Sequence, residues 1–202
     1  RTHTEPGDEI LLEETAHVYF NEAGATAALS GVICRLISGD RGVFGASELQ
    51  ESIRPVNNHY PRTKLVCVEN TTNRGGGRVW PLEKLAEVKN TAHENDLKIH
   101  LDGARIWNAA ASLQITESEI AKHFDSVSVC FSKGLGAPVG SALVGNTDFI
   151  MEARRFRKQF GGGMRQAGII AAAALFGLEN NRERLTVDHD NAKLFAKGLA
   201  EI

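Results

Sequence analysis

The sequence predicts an α/β domain built on a mainly parallel sheet with helices on both faces. Two observations predict it. Short β-rich runs are separated by longer helical patterns along the whole chain, which is the order that parallel strands with crossover helices produce. The run Lys-Leu-Val-Cys-Val-Glu at residues 64–69 is almost continuously apolar, as a strand covered on both faces must be.

Taken in order, residues 17–20 (His-Val-Tyr-Phe) read as a strand and residues 24–30 as a small-residue helix. Residues 32–37 form the next strand, followed by a loop at Ser38-Gly39-Asp40 and a helix over 47–53. After the strand at 64–69 comes a polar, glycine-rich loop, residues 70–77, leading to Pro81. Proline suits the first helical position, and Leu82, Leu85, Ala86 and Ala92 then recur at helical spacing. Residues 97–101 read as a strand ending at Asp102, with a helix over 105–113. Thr116 and Glu119 have capping-box spacing for another helix. Residues 126–131 are a strand ending at Ser132-Lys133, and residues 141–145 a further strand past a glycine-rich turn. The remainder is helical, interrupted at Gly161-Gly162-Gly163.

With 202 residues the chain suits one domain or a little more. A net charge of -2 gives no electrostatic basis for binding nucleic acid or an anionic membrane. The longest apolar run, residues 169–177, is less than half the ~20 residues a spanning helix needs. Cys34, Cys67 and Cys130 are odd in number and share no metal-ligand spacing, so no metal site is expected. They read as buried thiols of a reducing, cytoplasmic compartment. Asn70-Thr71-Thr72 fits a glycosylation acceptor, but no secretory context accompanies it. The chain opens on Arg1, and its last helical pattern runs into Ile202 without a stop signal, so it reads as a fragment.

In such sheets ligands bind at the carboxyl ends of strands. Glu69-Asn70, Asp102 and Lys133 fall there, the last two 31 residues apart. An amine-carrying cofactor needs a lysine to join its aldehyde and a carboxylate to keep its ring nitrogen protonated. Asp102 and Lys133 suit those roles by type and position. The plain alternatives are a helix-capping Asp102 and a solvated loop Lys133. The glycines at 134–140 also invite comparison with a dinucleotide-binding loop. Their spacing is wrong, Pro138 breaks the helix opening, and a strand follows instead.

Several blocks together carry a resemblance: His-Leu-Asp-Gly-Ala-Arg at 100–105, Ser-Val-Cys-Phe-Ser-Lys-Gly-Leu-Gly-Ala-Pro-Val-Gly-Ser at 128–141, His-Tyr-Pro-Arg-Thr at 59–63, Glu-Asn-Thr at 69–71 and Gly-Gly-Gly-Met-Arg-Gln at 161–166. In that order they closely resemble the low-specificity threonine aldolases, essentially end to end. The resemblance implies a pyridoxal 5'-phosphate enzyme of the aspartate-aminotransferase fold type, usually homotetrameric, that cleaves threonine or allo-threonine to glycine and acetaldehyde. It implies that Lys133 carries the cofactor, that Asp102 pairs with the pyridine nitrogen and that His17 stacks on the ring. Arg105 then grips the substrate carboxylate, and His59 lies near the substrate hydroxyl as candidate base. Ser132 and Arg165 become phosphate neighbours, Arg165 reaching toward an adjacent subunit. Glu22 lies in a family block without an assigned role.

Where many relatives carry His after Glu-Asn-Thr this chain has Thr72, which leaves the choice between threonine and allo-threonine open. On the same resemblance, residues 1–185 form the cofactor-binding large domain without its first part, and residues 186–202 lead toward a small domain. Two other readings stay open: another lyase of the same fold acting on a β-substituted amino acid, and a non-catalytic fragment.

Overall fold

Six strands, β1 (Glu9–Glu13), β2 (Ile33–Ile37), β3 (Thr63–Glu69), β4 (Lys98–Gly103), β5 (Ser126–Cys130) and β6 (Ser141–Gly145), form one sheet in the computed structural model, which describes residues 1–202. Their order is β2-β1-β3-β4-β5-β6. Every neighbouring pair is parallel except β5–β6, which is antiparallel. The mainly parallel sheet is as expected.

Nine helices connect and cover the strands: α1 (His17–Phe20), α2 (Ala25–Ser30), α3 (Ala46–Ser52), α4 (Leu82–Glu94), α5 (Ile106–Leu113), α6 (Glu117–Ala121), α7 (Thr147–Gln159), α8 (Gly168–Asn180) and α9 (Leu185–Leu199). Side chains alternate across a strand, and the alternation splits the core in two. Leu11, Val66, Val68, Ile99, Leu101, Val127 and Val129 face one way and join α3, α4, α5 and α6 in a cluster of 20 buried residues. Ile10, Leu12 and Leu65 face the other way in a smaller cluster with Ala16 and Val32.

Helix α4 shows how the sequence specifies the larger layer. Leu85, Val88 and Ala92 recur on one face of the helix and are its buried residues. Full burial of each Leu or Val contributes roughly 1.5–3 kcal/mol. Pro81 stands just outside the helix, at the cap position, with φ -60°. In α6 the expected capping box is present, the Thr116 N–H donating to Glu119 Oε2 at 2.9 Å.

Two elements differ from expectation. Residues 17–20 form the short helix α1, not a strand. Their aromatic, β-branched composition favours a strand, but no neighbouring strand is available to pair with them, and Tyr19 and Phe20 are exposed. The strand at this point of the chain is β1, eight residues earlier and entirely buried. Its pattern was hidden by Glu9 and Glu13, whose charges read as surface. Both carboxylates are buried and partnered: Glu9 Oε2 accepts from Arg54 Nε at 2.8 Å, and Glu13 Oε2 accepts from the Thr15 N–H and hydroxyl at 2.6 Å.

Beyond the sheet, α9 begins at the buried Leu185 and docks on α5, where Asn108 Nδ2 meets His189 Nε2 at 3.2 Å. Its second half leaves Leu194, Phe195 and Leu199 exposed. No helix is long and apolar enough to cross a membrane.

Candidate active site

The strand order locates a crevice. From β1 the chain moves to β2 on one side, whereas from β3 it moves to β4 on the other. Neighbouring strands whose connections leave in opposite directions open a gap at their carboxyl ends, where ligands bind in open α/β sheets. Here that gap lies between the segment after β1, which carries His17, and the segment after β3, which carries Asn70 and Thr71.

Three registered residues face this edge on the polar side of the sheet. Glu69 on β3 is opposite Asp102 on β4, and Asp102 is opposite Ser128 on β5. Asp102 is half-buried, and its Oδ1 accepts the Ala104 N–H at 3.1 Å. Asp102 does not cap α5, whose N-cap is Arg105 without a side-chain cap hydrogen bond; one Asp102 oxygen serves the turn before that helix. Burial raises the Glu69 carboxyl above the usual carboxylate range, and the Asp102 charge adds to the rise. The backbone N–H groups of His17 and Asn73 act against it. Two residues back along β3, burial pushes the Cys67 thiol up to about 12, with smaller contributions from Cys34 and Asp102.

Lys133 lies three residues beyond β5, in the connection to β6. That connection is tied into a fixed shape: Phe131 N–H donates to Gly140 O at 2.9 Å, Ala137 N–H to Phe131 O at 3.0 Å and Gly136 N–H to Lys133 O at 2.9 Å. Leu135 is fully buried, anchoring the loop from below, and its carbonyl accepts Asn181 Nδ2 at 2.8 Å. Gly136 has φ +69°, which a side chain disfavours. At Gly134 a Cβ would come within 2.9 Å of both Asn108 Oδ1 and Leu185 Cδ2, so glycine lets the lysine loop press against α5 and α9.

Arg105 stands one turn before Asn108, at the N-cap of α5. It lines a cleft of about 550 Å³ with Thr71, Asn108, His189 and Lys193. Neither Arg105 nor Lys133 takes part in a salt bridge. Ser132 is exposed, its Oγ 3.3 Å from Cys130 Sγ. The three cysteines are free thiols.

His17 is the first residue of α1, and its N–H donates to Glu69 Oε2 at 3.0 Å. Its Nε2 is 3.1 Å from Glu22 Oε1 and its Nδ1 is 3.1 Å from Asn21 Nδ2. A carboxylate only accepts and an amide nitrogen only donates, so these partners assign the proton to Nε2. Glu22, unassigned in the sequence, thus orients the His17 ring.

Two residues are not brought to this edge. His59 is exposed, in the turn before β3, with its N–H donating to Asn57 Oδ1 at 2.9 Å. The strand begins at Thr63 and runs to Glu69, a rise of roughly 20 Å at about 3.3 Å per residue. Within the chain, His59 therefore lies near the amino end of β3, the opposite end from Asp102. Arg165 is exposed in the loop between α7 and α8. Thr72 is buried, and its hydroxyl donates to Arg41 O at 3.0 Å, so it braces the loop and does not face a ligand. Sequence reasoning placed Glu69 at a strand end without a role; its link to His17 spans 52 residues and leaves no local pattern.

These features define a class, an aspartate-aminotransferase-like α/β domain with an amine and a carboxylate at the carboxyl ends of adjacent strands. The family model for beta-eliminating lyases matches residues 1–202, and the chain belongs to that family. It is 44% identical over 201 residues to the low specificity L-threonine aldolase of Escherichia coli (strain K12), covering 99% of this chain and 60% of that protein. Among solved structures, Leishmania major threonine aldolase superposes with a TM-score of 0.89 at 23% identity, over 99% of this chain and 59% of that one. A mutant of Thermus thermophilus aspartate aminotransferase superposes with a TM-score of 0.68 at 19% identity, over 95% and 50%. At those identities the two structures speak for the fold. The chain spans about half to three fifths of the length of the curated relatives it matches.

Proposed function

We propose that the protein to which this chain belongs is a pyridoxal 5'-phosphate-dependent aldolase that cleaves L-threonine and L-allo-threonine to glycine and acetaldehyde. The observation that carries the reading is the set of uncommitted groups at one sheet edge. Lys133 and Arg105 have no acidic partner, and Asp102 spends one oxygen on a backbone N–H. An amine, a carboxylate and a guanidinium left free in this way fit an aldehyde-bearing cationic ring and an amino-acid carboxylate.

When bound, the cofactor supplies an electron sink for the pair released as Cα–Cβ breaks. Lys133 Nζ would hold the cofactor, as the nucleophilic amine its aldehyde requires. The Asp102 carboxylate holds a proton on the ring nitrogen, an interaction that favours both charges. Arg105 offers a planar fork to the substrate carboxylate and so sets which bond at Cα stands in line for cleavage. His17 has both ring nitrogens engaged by Glu22 and Asn21. The face of its imidazole is therefore what it offers, which suits stacking on an aromatic ring. Ser132 serves the phosphate through its hydroxyl, and Arg165 does so from a neighbouring copy.

The assembly is a homotetramer on this reading, in a reducing cytoplasm that suits three free thiols. Helix α8 supports the assembly: it is apolar on every side, yet Ile169 and Phe176 are 88% and 61% exposed in a single chain. Surfaces of that kind mark interfaces.

The test uses the full-length protein. It should show a visible cofactor band that borohydride bleaches, release acetaldehyde from threonine, and lose both properties on Lys133→Ala. A cofactor band without acetaldehyde release would assign the site to another lyase reaction.

A further inference from the structure

We propose that Glu69 is a positioning residue of this site, its carboxylate clamping the first turn of α1, and with it the His17 ring, to the loop that follows β3. For its catalytic consequence the inference rests on the proposed function; the clamp itself rests on geometry alone.

The crevice between β1 and β3 has walls made of two chain segments that leave the sheet in opposite directions. No ladder hydrogen bond joins them once the strands have ended. Glu69 Oε2 accepts the His17 N–H at 3.0 Å, and Glu69 Oε1 accepts the Asn73 N–H at 2.8 Å. One wall is therefore pinned to the other through a single side chain. The same seam is closed further out by Arg74, whose guanidinium carbon lies 4.2 Å from the centre of the Phe20 ring. The backbone also holds Glu69 in place: its carbonyl accepts Trp80 Nε1 at 3.0 Å, and Trp80 is fully buried.

Only an acid meets this demand. Two N–H donors converge on two acceptor oxygens, and a glutamine at 69 would turn an amide NH₂ toward one of them. An aspartate, one methylene shorter, could not reach both. No lysine or arginine forms a salt bridge with Glu69. The backbone N–H groups of His17 and Asn73 favour its charge, with a smaller contribution from the His17 ring. The register places Glu69 beside Asp102, so a loosened clamp would act at the crevice and leave the distant core in place.

The test compares wild-type full-length protein with Glu69→Gln. In cofactor-free protein, peptides spanning residues 14–21 and 70–77 should exchange amide hydrogens at least about tenfold faster, while peptides from β4 stay unchanged. Unaltered exchange in both peptides would overturn the clamp, whatever reaction the enzyme performs. With cofactor, Glu69→Gln should lower threonine kcat/KM about tenfold or more, but less than about threefold when His17 is already Ala. Equal losses in the two backgrounds would show that Glu69 does not act through His17. Should Glu69→Gln fail to fold, Glu69→Asp keeps the charge and should release one peptide and protect the other; protection of both would overturn the inference. A wild-type protein inert toward threonine would remove the proposed function while leaving the exchange result to decide the clamp.

Discussion

Asp102 on β4 is paired in register with Glu69 on β3, so two carboxylates leave the sheet side by side on its polar face. Their surroundings separate their tasks. Glu69 has both oxygens taken by the N–H groups of His17 and Asn73, whereas Asp102 keeps one oxygen free. A carboxylate with a free oxygen is the better placed of the two to hold a cationic ring, while Glu69 joins two backbone segments.

Asp102→Asn should therefore retain the cofactor through Lys133 but lower kcat for threonine about 100-fold, equivalent to about 2.7 kcal/mol in the barrier. Cofactor content by absorbance and acetaldehyde release measure the two separately. A variant with unimpaired kcat would remove Asp102 from the ring nitrogen.

Arg105→Lys keeps the charge and loses the fork. We expect KM for threonine to rise about tenfold with kcat within about threefold, the pattern of lost ground-state binding. Steady-state kinetics decide it. An unchanged KM would assign substrate carboxylate binding elsewhere.

His59→Asn should leave threonine turnover within about twofold of wild type, because a full strand length separates His59 from the Asp102 edge within the chain. A large fall in kcat would mean that the residue reaches a site from another copy.

Acid should destabilise the fold through two half-buried imidazoles. His3 Nε2 and His100 Nδ1 each lie 2.7 Å from Ser126 Oγ, and the His3 ring stacks on Phe149 at 4.3 Å. Burial holds both pKa values down to about 4, against 6.5 for the free group; the positive charge of His100 adds to the effect at His3, and that of the N-terminus adds to it at His100. Below pH 6.5 the unfolded chain binds protons that the native state refuses, so stability is complete above that pH and declines toward pH 4. Melting temperatures by circular dichroism should fall across that window, less steeply in His3→Gln. Parallel slopes for the variant and wild type would contradict it.

Much of the layered architecture was legible because the strands β3, β4 and β5 carry buried apolar runs and their helices carry local periodicity or caps, as with Leu85, Val88 and Ala92 or Thr116 and Glu119. Strand β1 was not, because the buried Glu9 and Glu13 are satisfied by Arg54 and Thr15, partners that no pattern along β1 announces. Helix α1 was misread as a strand because β propensity describes fitness for a pleated surface and no such surface lies beside residues 17–20.

For the site, residue type and position after a strand made Lys133 and Asp102 candidates, and the motif blocks around them supplied the roles. Parallel strands put their carboxyl ends at one edge, so being last in a strand already implies company. The sequence by itself therefore determined the sheet class, the family and the position of Asp102 and Lys133 at or after the ends of their strands. Tertiary structure alone decided that His59 lies at the other end, that Thr72 is spent on Arg41, and that Glu69 ties His17 to the loop after β3. Those facts depend on which strands become neighbours and where each chain turns after leaving the sheet. Contacts made across 31 or 52 residues are set by packing and leave no periodic trace.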